Sequence, residues 1–249
     1  MNRYLSKKLI AAEMRQGSIL SVININEFPA FFRAYNWSNA NHKARGYPGD
    51  QYPTFPWIKS LEERGSWLVE QASLTNAPTD YVRELLAWGA GKNDPRMRFE
   101  VGLGNVSLLG IFAPVLANID DPKKAITAAL QIPGCGLTYA SKLLRFLRPD
   151  MHASLDGRIR EAMLKARLLD RVYDSNENSM VRGYVAFQAF CVELVAQLDA
   201  AKIARPECNL LAAATQTGWR VADVEMALFA WADRTSTVPD AESQMAAAE

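Results

Sequence analysis

Two short stretches hold the residues best suited to chemistry. The first is Ile132-Pro133-Gly134-Cys135-Gly136, lying between two amphipathic segments. Glycines lack a Cβ, so this backbone can turn tightly and approach another backbone closely. It leads into the N-terminus of a helix, where free N–H groups and the positive end of the dipole favour a phosphate. The second stretch is Ala153-Ser154-Leu155-Asp156-Gly157-Arg158-Ile159, which places a carboxylate at Asp156, 22 residues after Gly134. An aspartate at that point also serves as the N-cap of a helix starting at Gly157.

The elements around these stretches are helical by periodicity. Apolar spacing predicts helices over 4–16, 57–72, 79–89, 105–118, 122–131, 137–148, 157–168, 181–201 and 219–233. Asp121-Pro122 reads as an N-cap followed by a first-turn proline, and Pro78-Thr79-Asp80 opens another helix. Residues 18–23 have the composition of a short strand without a partner. Three stretches read as irregular: 36–57, rich in Gly, Pro and aromatics and lid-like in length; 89–105, with four glycines; and a fraying, Ala-rich tail over 235–249. The fold class expected is all-α, as one domain over 1–249.

Charge is uneven along the chain. Between Thr138 and Arg167 stand seven basic residues (Lys142, Arg145, Arg148, Arg158, Arg160, Lys165, Arg167) against Asp150, Asp156 and Glu161, although the whole chain carries only +1. In helix 137–148, Leu137, Ala140, Leu144 and Leu147 form one stripe. Thr138, Lys142, Arg145 and Arg148 fall on the other face, which is expected to meet solvent or phosphates.

Composition removes several chemistries. Cys135, Cys191 and Cys208 are too few and too scattered for a CxxC pair, a disulfide framework or a four-cysteine iron–sulfur cluster. His42 and His152 sit in no zinc-hydrolase spacing. Gly89–Lys92 is no P-loop, and Gly134-x-Gly136-x-x-Tyr139 lacks the third glycine of a dinucleotide fingerprint. No run of 18 apolar residues and no signal peptide is visible, so no membrane association and a reducing, cytoplasmic setting are expected.

The stretch Leu130–Ile159, with its motifs IPGCG, RPDMHASLD and LDGRI, resembles the helix-hairpin-helix/Gly-Pro-Asp superfamily of DNA glycosylases. The resemblance is strong over about 30 residues. It implies a compact two-lobed helical fold, with a helix-hairpin-helix over 122–148 and a catalytic loop over 149–158. Asp156 matches the catalytic aspartate, whose carboxylate stabilises the oxocarbenium-like sugar and orients water. Gly134, Gly136, Thr138, Lys142, Arg145 and Arg158 are the implied contacts to duplex DNA. A flipped base needs a pocket, and Trp88, chosen from Trp37, Tyr47, Tyr52, Trp57, Trp88 and Tyr139, is the first candidate to stack on it.

Thr138 stands where lyase-active members carry lysine, so the resemblance implies a monofunctional enzyme. The outline is that of the small 8-oxoguanine-type members, monomeric and nucleoid-associated. No cofactor is implied beyond a monovalent cation at the hairpin. Two alternatives accompany this reading. One is excision of bulky modified bases from phage DNA as antiviral defence, for which the 89–105 segment would leave pocket space. The other is a non-catalytic DNA-tethering module in which Asp156 is only a cap.

Overall fold

Short side-chain caps and buried apolar faces set the boundaries of the helices in the computed structural model, which describes residues 22–47, 49–71, 74, 78–91, 94–104, 106–211 and 218–236. After a 3-10 turn at Ile25–Glu27 come α1 (Phe28–Ala34), β1 (Asn36–Trp37), α2 (Ala40–Ala44), β2 (Asp50–Gln51), α3 (Pro56–Glu70) and α4 (Thr79–Gly89). They are followed by α5 (Arg96–Leu103), α6 (Leu108–Ala117), α7 (Pro122–Ala129), α8 (Leu137–Leu147), α9 (Gly157–Lys165), α10 (Glu177–Ala200) and α11 (Val221–Ser236). The chain is mostly helical, as expected. The two strands are a two-residue antiparallel pairing, Asn36 with Gln51 and Trp37 with Asp50.

The caps follow the sequence signals. Asp121 accepts from the N–H groups of Lys123 and Lys124 ahead of Pro122, Asn176 caps α10, and Asp156 caps α9. Helix α11 runs through Thr235 and Ser236, two residues into the stretch read as a fraying tail. The helix expected over 4–16 and residues 237–249 lie outside the described residues. Val22 and Ile23, the described residues of segment 18–23, are not in a strand, and Ile23 is buried.

Helix α8 is the axis of the core. It packs against α3, α4, α7 and α10, and every residue from Ala140 to Leu147 is buried. Truncating a core side chain such as Leu144 or Phe146 to Ala would cost about 2–5 kcal/mol. Helix α10 is long and apolar enough to cross a bilayer by composition, and half of its apolar window is packed in the interior, through Tyr184, Phe187 and Leu194 among others.

The segment 89–105 is corrected. Its second half is not an irregular glycine loop but helix α5. Only Phe99 of α5 is buried while Met97 and Val101 are exposed, so no apolar stripe announces the helix. Glycines serve close approach here. A Cβ on Gly134, whose φ is +72°, would lie 2.7 Å from the Phe99 backbone nitrogen, and one on Gly102 would lie 2.7 Å from the Pro133 Cβ. Helix α5 and the turn before α8 are thereby interlocked.

Candidate active site

Asp156 sits at the end of a loop held from three sides. His152 accepts from the Tyr184 hydroxyl through Nδ1 (2.9 Å) and donates from Nε2 to the Ile119 carbonyl (2.7 Å). Burial pushes the His152 imidazole down, which favours this neutral tautomer. Gln188 accepts from the Ala153 N–H at 3.0 Å and donates to the Met151 carbonyl. Ser141 accepts from the Leu155 N–H at 2.9 Å. The sequence assigned no role to His152, Gln188 or Ser141, yet they place the carboxylate. Asp156 is 8% exposed, and its Oδ1 accepts from the Ile159 N–H at 2.9 Å. Its Oδ2 makes no hydrogen bond or ion pair among the described residues. Asp150, read as a capping residue, makes none either and is exposed.

Lys142, on which the Asp156 carboxylate acts, and Arg158, two residues after Asp156, rest against a group of aromatic rings. The Lys142 amine is 5.0 Å from the centre of the Trp88 ring and 5.3 Å from that of Trp37. Burial pushes this amine below the usual lysine range, while the carboxylates of Asp156 and Glu225 pull it back toward its charged form. The Arg158 guanidinium lies 4.9 Å from the Phe229 ring centre and 5.7 Å from that of Trp37, and it pairs with Asp233 at 2.7 Å. Both partners of that ion pair are half exposed, so it contributes only about 0–1 kcal/mol. An exposed cation–π contact adds about 0.5–1 kcal/mol.

The 36–57 loop delivers Trp37 to this group. Asp50 accepts from the N–H groups of Trp57 (3.0 Å) and Ile58 (3.3 Å), from the Trp88 indole and from His42 Nε2 (3.2 Å). The Trp37 indole donates to the Trp88 carbonyl at 2.8 Å. Trp88 itself is 4% exposed and packs edge-on against Phe146 with centroids 4.7 Å apart. The first candidate for base stacking is therefore a buried wall, and the partly exposed ring of the group is Trp37. The loop composition pointed to Trp37 only as one aromatic among six.

The basic face expected on α8 is corrected. Lys142 is 5% exposed and Arg145 1%. Arg145 pairs with Glu62 of α3 at 2.7 Å and lies 3.7 Å from Glu225 of α11. Glu62 also pairs with Arg220, which holds Asp223, which holds Arg205. Four further cations of the stretch are matched as well: Arg148 by Asp120, Arg158 by Asp233, Arg160 by Asp174 and Lys165 by Glu161. Four of these five arginine and lysine pairings reach outside the stretch, so a count along the sequence overstates the local charge. Burial pushes the Glu225 carboxyl up to about 7, aided by Asp156 and opposed by Arg145, Lys142 and a hydrogen bond with Ser154.

At the turn, Gly136 is the N-cap of α8 and no side chain caps the helix, so its first N–H groups have no side-chain acceptor. Gly136 is exposed and Thr138 half-buried. Burial pushes the Cys135 thiol up to about 12, which leaves it a packing residue rather than a nucleophile. The turn side chains are Pro133, Cys135 and two glycines, so a monovalent cation there would meet main-chain carbonyls only. Among the described residues no group of three His, Cys, Asp or Glu is placed to hold a metal ion. Compared with protein-family models, with curated proteins and with solved structures, the chain matches none.

Proposed function

We propose that the protein is a monofunctional DNA glycosylase, which extrudes a damaged or modified base from duplex DNA and hydrolyses its N-glycosidic bond. The observation that carries the reading is the state of Asp156. One oxygen is locked in the cap of α9 and the other accepts no hydrogen bond among the described residues, while the carboxylate acts on the Lys142 amine, which rests against the Trp37 and Trp88 rings. A fixed carboxylate with one spare oxygen can stabilise positive charge on the sugar and orient water, without reorganising as that charge develops. The resemblance of Leu130–Ile159 to the helix-hairpin-helix/Gly-Pro-Asp glycosylases supports it, with the helices then forming the two-lobed fold of that family. Arg158 and the uncapped start of α8 at Gly136–Thr138 would meet the DNA backbone. The buried Lys142 and Arg145 would act from within, holding the site together.

Mass spectrometry of bases released from a panel of oxidised, alkylated and phage-modified duplexes tests the assignment. One class of base should be released by the wild type and lost with Asp156→Asn, which keeps the cap but removes the charge. Release of nothing from any duplex, with DNA still bound, would leave the tethering module instead.

A further inference from the structure

Trp37 and Phe229 meet edge to face, with centroids 5.9 Å apart and planes at 87°, so together they form a right-angled aromatic corner. The corner is filled by Arg158, whose flat guanidinium lies against both rings. Among the described residues its only ion pair is the half-exposed contact with Asp233. Lys142 rests against the same Trp37 ring, and the two like charges oppose one another: Arg158 lowers the affinity of the Lys142 amine for its proton. With Arg158 in place Phe229 is 4% exposed and Trp37 half-buried, so the corner opens to a ligand as the half-exposed, cation-crowded guanidinium moves out. Arg158 also stands two residues after Asp156, in the first turn of α9.

We propose, resting on the glycosylase reading, that the Trp37–Phe229 corner is the stacking site for the extruded nucleobase and that Arg158 occupies it in the DNA-free protein as a planar stand-in. On binding, the base takes the corner, with its face on one ring and its edge against the other. The freed guanidinium turns to a backbone phosphate, for which its forked geometry is suited. The ligand class is any flat heteroaromatic base, because stacking tolerates sequence.

A single-stranded oligonucleotide with one 5-iodouracil tests this, since an unpaired base needs no extrusion. Long-wave irradiation joins that base to a stacked aromatic side chain, peptide mass spectrometry locates the joint, and fluorescence anisotropy reports retention of the strand. The joint is expected at Trp37 or Phe229. At saturating protein, Arg158→Ala should raise its yield by roughly three-fold or more, because the competent state is no longer shared with the guanidinium. Trp37→Leu should abolish the joint at position 37, and Phe229→Leu is the second, conservative variant if Trp37→Leu folds poorly. A retained strand joined only to other aromatics, or a yield that falls in Arg158→Ala, overturns the stacking site while leaving the glycosylase reading in place. A strand that wild-type protein does not retain overturns the stacking site, whereas the glycosylase reading falls separately, if no base is released from the duplex panel.

Discussion

The amine of Lys142 lies 5.0 Å from the centre of the Trp88 ring, an indole whose own N–H is committed to Asp50. The lysine expected to meet phosphates is thus part of the wall behind Asp156. Burial lowers its affinity for a proton, and the Asp156 and Glu225 carboxylates oppose that shift only in part.

The Lys142 amine is held against the Trp88 and Trp37 rings, and Thr138 has no amine with which to form an imine. Borohydride added during turnover should therefore trap no protein–DNA adduct, and the product should be an intact abasic site. Efficient trapping that vanishes in Lys142→Ala would instead make Lys142 the imine-forming residue and the enzyme a lyase.

Arg145 should behave as a folding residue. Arg145→Ala leaves Glu62 with Arg220 alone and takes from Glu225 its buried arginine partner, at a cost of about 3–5 kcal/mol. For a chain of this size that corresponds to a fall in Tm on the order of 10 °C. Lys165→Ala, which breaks the exposed pair with Glu161, should change stability by less than about 1 kcal/mol. Equal melting temperatures for the two variants would show that the Arg145 pairs do not form.

Glu225 makes stability depend on pH in a direction opposite to most carboxylates. Its pKa is raised by burial to about 7 in the folded protein, from an ordinary 4.5. Between those values the folded state binds more protons than the unfolded state, so the contribution is present in full below 4.5 and is lost as pH rises through about 7. Glu225→Gln mimics the protonated form at every pH. The Tm of the wild type should fall relative to that of Glu225→Gln between mildly acidic and mildly basic solution, and parallel curves would place Glu225 in a more polar setting.

The two turn glycines should separate folding from binding. Gly134→Ala meets both a positive φ and the Phe99 backbone, so it should unseat the turn from α5 and lower Tm by several degrees. Gly136 has nothing within 4 Å of an added Cβ and φ is −71°. Gly136→Ala should leave Tm near that of wild type while weakening duplex binding measured by anisotropy. Wild-type affinity should fall steeply with salt. Unchanged affinity in Gly136→Ala would move the DNA from the start of α8.

Much of the helical plan was legible, because strong apolar stripes and caps agree: α4 and α8 begin where Pro78 and the glycine turn predict. Helix α5 was hidden by its exposed Met97 and Val101, and α1 by its seven-residue length. Asp156 was legible as a cap. The burial of Lys142 and Arg145 was not, because their amphipathic helix is enclosed on its polar face too. The counterparts lie far off in sequence, at Glu62 and Glu225. A signal for them exists in Val224-Glu225-Met226-Ala227-Leu228, since a carboxylate inside an apolar run implies a buried cation to match.

The distant matching of charges has a consequence for how this chain can be cut and reused. Arg145, Arg148, Arg158 and Arg160 take their counter-ions from α3 and α11, from Asp120 before α7, from Asp233 and from Asp174. Residues 122–158, excised as a cassette and grafted onto another protein, would expose the apolar sides of α8 and strip Arg145, Arg148 and Arg158 of these acids. The fragment would be sticky and strongly cationic, holding nucleic acid through uncompensated charge rather than through the geometry of the turn. The hairpin and its aspartate are inseparable from the helices that flank them, and the smallest portable unit is the whole helical body.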